Sequence, residues 1–580
     1  MKILLILFVG LVSISCAKKE KIEKPNVIII MTDDQGYGDF GFTGNHHVKT
    51  PVLDNLAEES FQFDNFYVSP VCAPTRASIM TGRQSLRTGI RDTYNGGAIM
   101  HTDEITLAEI LKEANYETGI FGKWHLGDNF PSRPMDQGFD ESLIHLSGGM
   151  SQVGDFTTYF RKDSSYFDPI LWHNGQQESY DGYCSDIFAK GAIDFIEKNK
   201  ENPFFCYLSF NAPHTPLQLP QMYNDMYKDI DPSSGFESSP EVAEMTEKDK
   251  EDARKVYGMV SNIDDNIGSL LKKLDDLNIA DNTLLIFLTD NGPQQRRYVA
   301  GMKGRKAMVY RGGVRVPMLL RYPAKFKEAK RIKTTATHMD ILPTIASLTG
   351  AQIPNDRKID GKKLNPLLEG QDVDWADRSL FFSWTRRYPE LYQNVALQKG
   401  DYRLVGMTDY DARIEDFELY NISKDPGESL NLVNKEKQKA EELKTEFDTQ
   451  YHELTLSDHL VNKPLIAIGH SSENPTFLNR NDAGGQKGIW AEDEAFGLWH
   501  VKIHEGIYNI KFKFLHPVEQ GTAFLEVGTQ VIRKSISTNE EDLIELSNVH
   551  LIDMEGDLIP YYMENKKRIF PFWVELEKTK

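Results

Sequence analysis

The chain has 580 residues, 40% hydrophobic, 11% aromatic and 26% charged, which is the balance of a folded globular protein and not of a disordered or collagen-like one. With 66 Lys and Arg against 86 Asp and Glu, the formal net charge of −20 excludes a general nucleic-acid binder, because a non-specific grip on phosphates needs a basic surface. Four cysteines, Cys16, Cys72, Cys184 and Cys206, are too few and too scattered for a disulfide scaffold or a Cys-x-x-Cys metal site.

Residues 1–16, MKILLILFVGLVSISC, are expected to be a secretory signal: a basic residue, an apolar run from Ile3 to Val12, then small residues before Cys16. The segment Ser13-Ile14-Ser15-Cys16 resembles a bacterial lipobox, with Ser13 where Leu is usual, and predicts a lipid anchor on Cys16. Plain signal-peptidase cleavage near Ser15 is the competing expectation. Residues 17–25, AKKEKIEKP, form a charged tether. No later run reaches the roughly 18 apolar residues of a membrane helix, so the remainder is expected to be soluble.

From Pro25 onward short apolar runs alternate with helical patterns, which predicts an α/β domain over residues 26–375 with a mixed sheet between helices. The runs are Val27 to Met31, Thr118 to Phe121, Phe204 to Phe210, Leu284 to Leu288 and Met318 to Leu320. Four of the five end in polar clusters: Asp33-Asp34, Lys123-Trp124-His125, Asn211-Ala212-Pro213-His214 and Asp290-Asn291. In open α/β sheets the ligand site lies beyond the carboxyl ends of the strands, so these clusters should converge. Helices are predicted over Glu104 to Ala114, Ser185 to Lys198 and Asp249 to Leu277, with the acids of the last on a solvated face. Residues 376–457 are expected to form a smaller α+β subdomain, and residues 462–580, with period-two segments between glycine turns, an appended β-sandwich-like domain.

In the segment Val71-Cys72-Ala73-Pro74-Thr75-Arg76, followed by Thr81-Gly82-Arg83, Pro74 and Gly82 bracket a short helix and place Cys72 at its N-terminus. Free N–H groups and the positive end of the helix dipole favour an anion there, and Arg76 lies one turn on. A cysteine phosphatase would need Cys-x5-Arg, and position 78 is Ser.

This segment resembles the C-x-P-x-R signature of the type I sulfatases, a family of the alkaline phosphatase superfamily. Asp33-Asp34-Gln35-Gly36, Gly122-Lys123-Trp124-His125, Ala212-Pro213-His214, Asp290-Asn291-Gly292 and Tyr310-Arg311-Gly312-Gly313 resemble the family's other motifs in the same order. So does Leu419-Tyr420-Asn421 with Asp425-Pro426-Gly427-Glu428. The resemblance covers residues 25 to 455 and implies an alkaline-phosphatase-like fold. It implies that a maturation enzyme, either formylglycine-generating or of the anaerobic type, oxidises Cys72 to formylglycine. The hydrated aldehyde would attack sulfur with one hydroxyl and expel sulfate with the help of the other.

By the same resemblance Asp33, Asp34, Asp290 and Asn291, with residue 72, hold a metal ion, usually Ca²⁺, with Mg²⁺ second. An all-oxygen set suits either of these and not Zn²⁺. Arg76 and Lys123 would orient the diol, His125 would act as base, and His214 and Lys306 would contact sulfate and assist the leaving oxygen. Lys303 is a nearby rival for the role of Lys306. Where the family commonly has Glu this chain has Arg311, an expected source of altered specificity.

Seven basic residues and no acid lie between Asn291 and Pro317: Arg296, Arg297, Lys303, Arg305, Lys306, Arg311 and Arg315. They predict an island able to attract a sulfated polyanion, with Arg386-Arg387, Trp384 and Tyr388 as an anion-pairing and stacking rim. The expected enzyme is therefore an exported sulfatase of the periplasm or cell envelope. It would act on a sulfated carbohydrate, an algal polymer such as ulvan or carrageenan or a glycosaminoglycan, with no nucleic-acid partner and no membrane contact beyond the lipid. The alternatives are a phosphatase or phosphonate hydrolase of the same superfamily, against which Asp290-Asn291 in place of Asp-His argues, and a non-catalytic carbohydrate-binding lipoprotein. Cys184 and Cys206 are expected to be structural, paired or free.

Overall fold

A computed structural model describes residues 24–161, 163–375, 377–485, 496–537 and 541–580. The expected signal, the anchor Cys16 and nearly all of the tether lie outside the described residues. Among those described, no helix is long and apolar enough to cross a membrane.

Ten strands form the central sheet. Its middle consists of the parallel strands Thr283–Thr289, Asn26–Thr32, Phe204–Ser209, Glu117–Lys123 and Glu141–His145, in that spatial order. Met318–Arg321 runs antiparallel beside Thr283–Thr289, which makes the sheet mixed. Every residue of the first strand is buried, because helices cover both faces. Alternation then divides its side chains: Val27, Ile29 and Met31 enter one apolar core, Ile28 and Ile30 the other. Helices Cys184–Asn199 and Glu247–Asp276 bring their apolar residues to the second core.

Register decides where the chemistry falls. Thr32 lies opposite Thr289, Met31 opposite Ser209, and Ser209 opposite Gly122, so four strands finish at one edge of the sheet. The residues that follow, Asp33-Asp34, Asp290-Asn291, Asn211 to His214 and Lys123 to His125, emerge side by side. Gly122 has φ +115°, and a Cβ there would stand 1.8 Å from the Ser209 carbonyl oxygen, so only glycine lets these strands approach at that level.

The long helix departs from the expected solvated acidic face at one residue. Asp264 is buried and accepts the backbone N–H groups of Val52 and Leu53 at 3.0 and 2.8 Å, capping the helix Pro51–Glu58. Cys184 and Cys206 are buried free thiols in the second core.

Strands Ser379–Ser383, Val395–Lys399, Tyr402–Gly406 and Glu418–Asn421 make a four-stranded antiparallel sheet. One face shares a core with helix Lys437–Thr455, and the other packs on Tyr67, Val309, Tyr310 and Val314 of the main domain. From Ile466 onward two further sheets enclose a third core, built from period-two strands such as Gly506–Val518, where Tyr508, Ile510, Phe512 and Phe514 all point inward.

This β-domain grips the main domain through polar contacts. Asn479 Nδ2 donates to Asp128 at 2.8 Å, the Asp128 N–H to Asp482 at 3.2 Å, the Gly96 N–H to the Asn481 carbonyl at 3.2 Å, and the Gly485 N–H to Asn95 at 2.8 Å.

Candidate active site

Cys72 is the first residue of a helix, Cys72–Thr81, that is buried along its whole length. Its N-cap, Val71, offers no capping side chain, so the first-turn N–H groups remain available to an anion. Gly82 ends the helix at φ +67°, its N–H bonded to the Ser78 carbonyl at 2.9 Å.

Asp33, Asp34, Asp290 and Asn291 are all fully buried at the shared strand edge. Donor atoms of Asp33, Cys72 and Asp290 lie within 4.8 Å of one another, as do those of Asp33, Asp34 and His214. The Asp34 N–H donates to Asp290 at 3.2 Å and Asn291 Nδ2 to Asp34 at 2.8 Å, which ties the two pairs together. Three cations meet the three carboxylates. Lys123 binds Asp33 at 2.5 Å, Arg76 binds Asp290 at 2.8 Å, and Lys306 binds Asp34 at 2.6 Å. Burial works against ionised Asp33, but the charges of Lys123, His214, Arg76 and Lys306 outweigh it and hold the carboxyl well below its ordinary range.

Even so, Asp33 Oδ1, Asp34 Oδ2 and Asn291 Oδ1 are buried without a hydrogen-bond partner. Unpaired buried oxygens are costly, and a hard divalent cation would satisfy all three. These oxygen donors suit such an ion.

His125 Nε2 lies 2.7 Å from the Thr93 carbonyl oxygen, which can only accept, so that nitrogen carries the hydrogen. The other nitrogen, Nδ1, is then a free acceptor 3.4 Å from Cys72 Sγ. Burial, with Lys123 next, holds the His125 pKa well below its ordinary value, keeping the ring neutral. In His214 the roles of the nitrogens are exchanged: Nδ1 meets the Thr215 carbonyl at 2.7 Å and Nε2 faces Asp34 at 3.7 Å. Burial also raises the Cys72 thiol, an effect that Lys123 and Lys306 only partly oppose, so the unmodified side chain rests as a neutral thiol. Asp34 and His125 adopt left-handed backbone, φ 64° and 60°, a conformation that Asp tolerates better than His and that tertiary contacts sustain here.

A cleft of about 570 Å³ opens over this centre, lined by Cys72, His125, His214 and Lys306 together with Thr93, Gln152, Gln294, Arg305, Trp384 and Arg386. Asp33, Asp34, Cys72, Arg76, Lys123, His125, His214, Asp290, Asn291 and Lys306 therefore gather at one centre, and four of them reach the cleft. The rivalry of two lysines also ends: Lys303 turns away to Glu418 at 3.4 Å and over the Tyr310 ring at 3.9 Å.

The basic island does not survive as a surface feature. Arg297 is fully buried against Asp39 at 2.7 Å, and Arg296 pairs with Glu241 and Glu244. Arg315 donates to the Asp64 carbonyl and lies over the Tyr37 ring. Arg311 is also buried: its N–H donates to Glu428 at 2.8 Å and its Nε to the Tyr67 hydroxyl at 3.2 Å. It joins the main domain to the smaller sheet and does not line the cleft, which removes the expected effect on specificity. These chain-neighbouring cations are matched by acids and carbonyls distant in sequence, which spacing alone does not reveal. Only Arg305 and Lys306 of the seven line the cleft.

Two contributors had no signal in the sequence. Thr93 acts through a main-chain carbonyl, and Ser209 accepts Arg76 NH1 at 2.6 Å.

A metal-ready oxygen cage beside a helix N-terminus, with neutral histidines and the cations Arg305, Lys306 and Arg386 at its mouth, defines a hydrolase of anionic esters. Residues 25–351 match the Sulfatase family and residues 304–456 the C-terminal family of N-sulphoglucosamine sulphohydrolase. The chain belongs to the sulfatase family and is a sulfuric ester hydrolase, in a family whose members use formylglycine and a metal ion. Human steryl-sulfatase is 30% identical over 458 residues, 64% of this chain and 74% of that protein. N-acetylglucosamine-6-O-sulfatase of Bacteroides thetaiotaomicron is 27% identical over 510 residues, 73% and 85% of the two chains. The crystal structure of Ps i-CgsB, known also in complex with k-i-k-neocarrahexaose, superposes with a TM-score of 0.64 at 29% identity and covers 75% of this chain and 94% of that one. Phosphonate monoester hydrolase of Agrobacterium radiobacter, 20% identical with a TM-score of 0.56, shares the fold.

Proposed function

We propose that this sulfatase removes sulfate from saccharides, with residue 72 matured to formylglycine and a calcium ion held by Asp33, Asp34, Asp290 and Asn291. The observation that carries the reading is the meeting of Cys72, at an uncapped helix N-terminus, with three unpartnered carboxylate and amide oxygens. Calcium supplies Lewis-acid polarisation and charge screening at the sulfate, with magnesium the second choice for the same oxygen set. Formylglycine supplies, as its hydrate, two hydroxyls on one carbon, one to displace the alcohol from sulfur and one to release sulfate.

The chain's own groups do the rest. Thr93 fixes the His125 tautomer so that Nδ1 accepts a proton from residue 72. Arg76 and Lys123 hold Asp290 and Asp33 in place and, as buried cations, favour an anion above them. His214 Nε2, an acceptor while the ring is neutral, can serve the departing oxygen as an acid once it has taken up a proton, and Lys306, which spends one N–H on Asp34, keeps others for sulfate and the leaving oxygen.

A saccharide substrate is supported by the open cleft and by relatives named for sulfated sugars. Export to the periplasm or cell envelope with a lipid on Cys16, and maturation by a formylglycine-forming enzyme, complete the proposal and rest on the N-terminal sequence and on Cys72.

Sulfate and phosphate release should be assayed in parallel on sulfated oligosaccharides and matched phosphate esters, with the native Cys72 peptide analysed by mass spectrometry. Sulfate release with an aldehyde at position 72 is expected. Faster phosphate release, or an intact thiol in fully active protein, overturns the reading.

A further inference from the structure

We propose that the cleft contains a second anion subsite, built by Arg386 and Arg305, that binds another oxyanion on the saccharide carrying the scissile sulfate. The idea rests on the saccharide sulfatase reading above and names a substrate class within it: sugars bearing two sulfates, or a sulfate and a uronate carboxylate.

The first argument is charge. The cleft lining includes Arg305, Lys306 and Arg386 and no Asp or Glu, in a chain of net charge −20. Lys306 is committed to Asp34 at 2.6 Å and Arg386 shares the Asp92 carboxylate at 3.2 Å, so neither arginine is taken up by the carboxylates of the reaction centre. Arg305 donates NH1 to the Gln294 carbonyl at 3.2 Å and has no carboxylate partner among the described residues. A cationic recess with no acid in its lining concentrates anions locally even when the whole molecule repels them.

The second argument is preorganisation. Arg386 NH1 donates to Asp92 at 3.2 Å and to Thr93 Oγ1 at 3.0 Å. Its guanidinium also lies 4.7 Å from the Tyr94 ring centroid and 4.9 Å from that of Trp384. Asp92 is itself fully buried and fixed by the N–H groups of Thr93 and Arg387 at 2.7 and 2.8 Å. The head group is thus held on a rigid post, yet the side chain is 54% exposed and its Nε and NH2 make no hydrogen bond among the described residues. A guanidinium with its position fixed and its remaining donors free suits sulfate or carboxylate, because little rotamer entropy is left to lose on binding.

The third argument is position. Thr93, whose hydroxyl touches Arg386, holds His125 through its carbonyl, and His125 touches Cys72. One residue and one imidazole thus link Arg386 to the nucleophile, and Cys72, Arg305 and Arg386 line the same cleft.

The test uses full-length, calcium-loaded protein carrying Cys72→Ala, so that binding is read without turnover. Calorimetry would compare kappa- with iota-carrageenan disaccharides, which carry one and two sulfates, and N-acetylgalactosamine 6-sulfate with its 4,6-disulfate. The 6-sulfated chondroitin disaccharide provides the carboxylate arm. In at least one series the second anion should tighten binding about tenfold or more. Arg386→Ala and Arg305→Ala should each reduce that advantage to below about threefold, with the singly charged sugar bound within about twofold of the parent protein and Arg386→Lys recovering part of the loss. No advantage in any series, or an equal loss for singly and doubly charged sugars, overturns the subsite. A wild-type protein that releases no sulfate from any ester overturns the enzymatic reading instead, and the binding comparison remains readable in that case.

Discussion

Thr93 accepts the Nε2 hydrogen of His125 at 2.7 Å, and this one contact turns the opposite ring nitrogen into an acceptor 3.4 Å from Cys72 Sγ. The proposed role of His125 as base depends on that tautomer. His125→Gln, which cannot relay a proton in the same way, should lower kcat on 4-nitrophenyl sulfate by about 10²- to 10⁴-fold with a small change in KM. An equal loss confined to KM would show that the ring binds substrate and does not move a proton.

Lys306 and Lys303 are three residues apart and should behave as unlike groups. Lys306→Ala removes the partner of buried Asp34 and a donor at the cleft, so kcat/KM should fall by about 100-fold or more. Lys303→Ala loses a partly exposed pair with Glu418, a contact with the Tyr420 hydroxyl at 3.4 Å and its contacts with the Tyr310 and Tyr420 rings, all away from the cleft, and the same measurement should stay within about threefold. Reversed sensitivities would exchange the two assignments.

Metal removal is expected to act on stability as well as on rate. An ion bound by the folded chain and not by the unfolded chain raises Tm, so extensive chelation should lower Tm and abolish turnover together. Calcium should restore both better than magnesium. Asp34→Ala should make Tm indifferent to added calcium, and a calcium response that persists in this variant would place the ion elsewhere.

At the seam with the β-domain, the Asp128 N–H donates to the Asp482 carboxylate, and burial pushes Asp482 up to about 6 and Asp128 well above its ordinary value, where the Asp482 charge adds to the effect. A raised folded pKa means that the folded seam prefers the protonated acid. The destabilisation is absent below about pH 4, grows as pH rises past 4 toward 6, and is fully present above the folded value. Asp482→Asn should therefore flatten the fall of Tm between pH 4.5 and 8. Asn481, whose Oδ1 is unpartnered, can turn its amide to meet the new N–H. Parallel Tm profiles for both proteins would exclude this pair as the origin of the slope.

Arg297 tests whether the cations near the site are structural. It forks onto Asp39 through Nε and NH2 and donates NH2 to the Asp34 carbonyl at 2.7 Å, with no exposure. Arg297→Met leaves a buried carboxylate without its partner and should cost about 3–5 kcal/mol in denaturant unfolding. A loss below about 1 kcal/mol would return Arg297 to the solvent-facing island that its spacing suggested.

The sequence by itself determined the reaction centre to the extent that local order determines it. Apolar runs closed by Asp33-Asp34 and Asp290-Asn291, and a cysteine two residues before a proline, carry their chemistry in adjacent residues, and parallel strands deliver such ends to one edge whatever the loops between them do. Tertiary structure alone decided which cations face the cleft. Arg297, Arg311 and Arg315 find partners hundreds of residues away or across a domain seam, while Arg305 and Arg386, 81 positions apart (386 − 305), line one cleft. Spacing along a chain reports which charges are close in sequence, but the field at a site depends on which of them the fold has already neutralised.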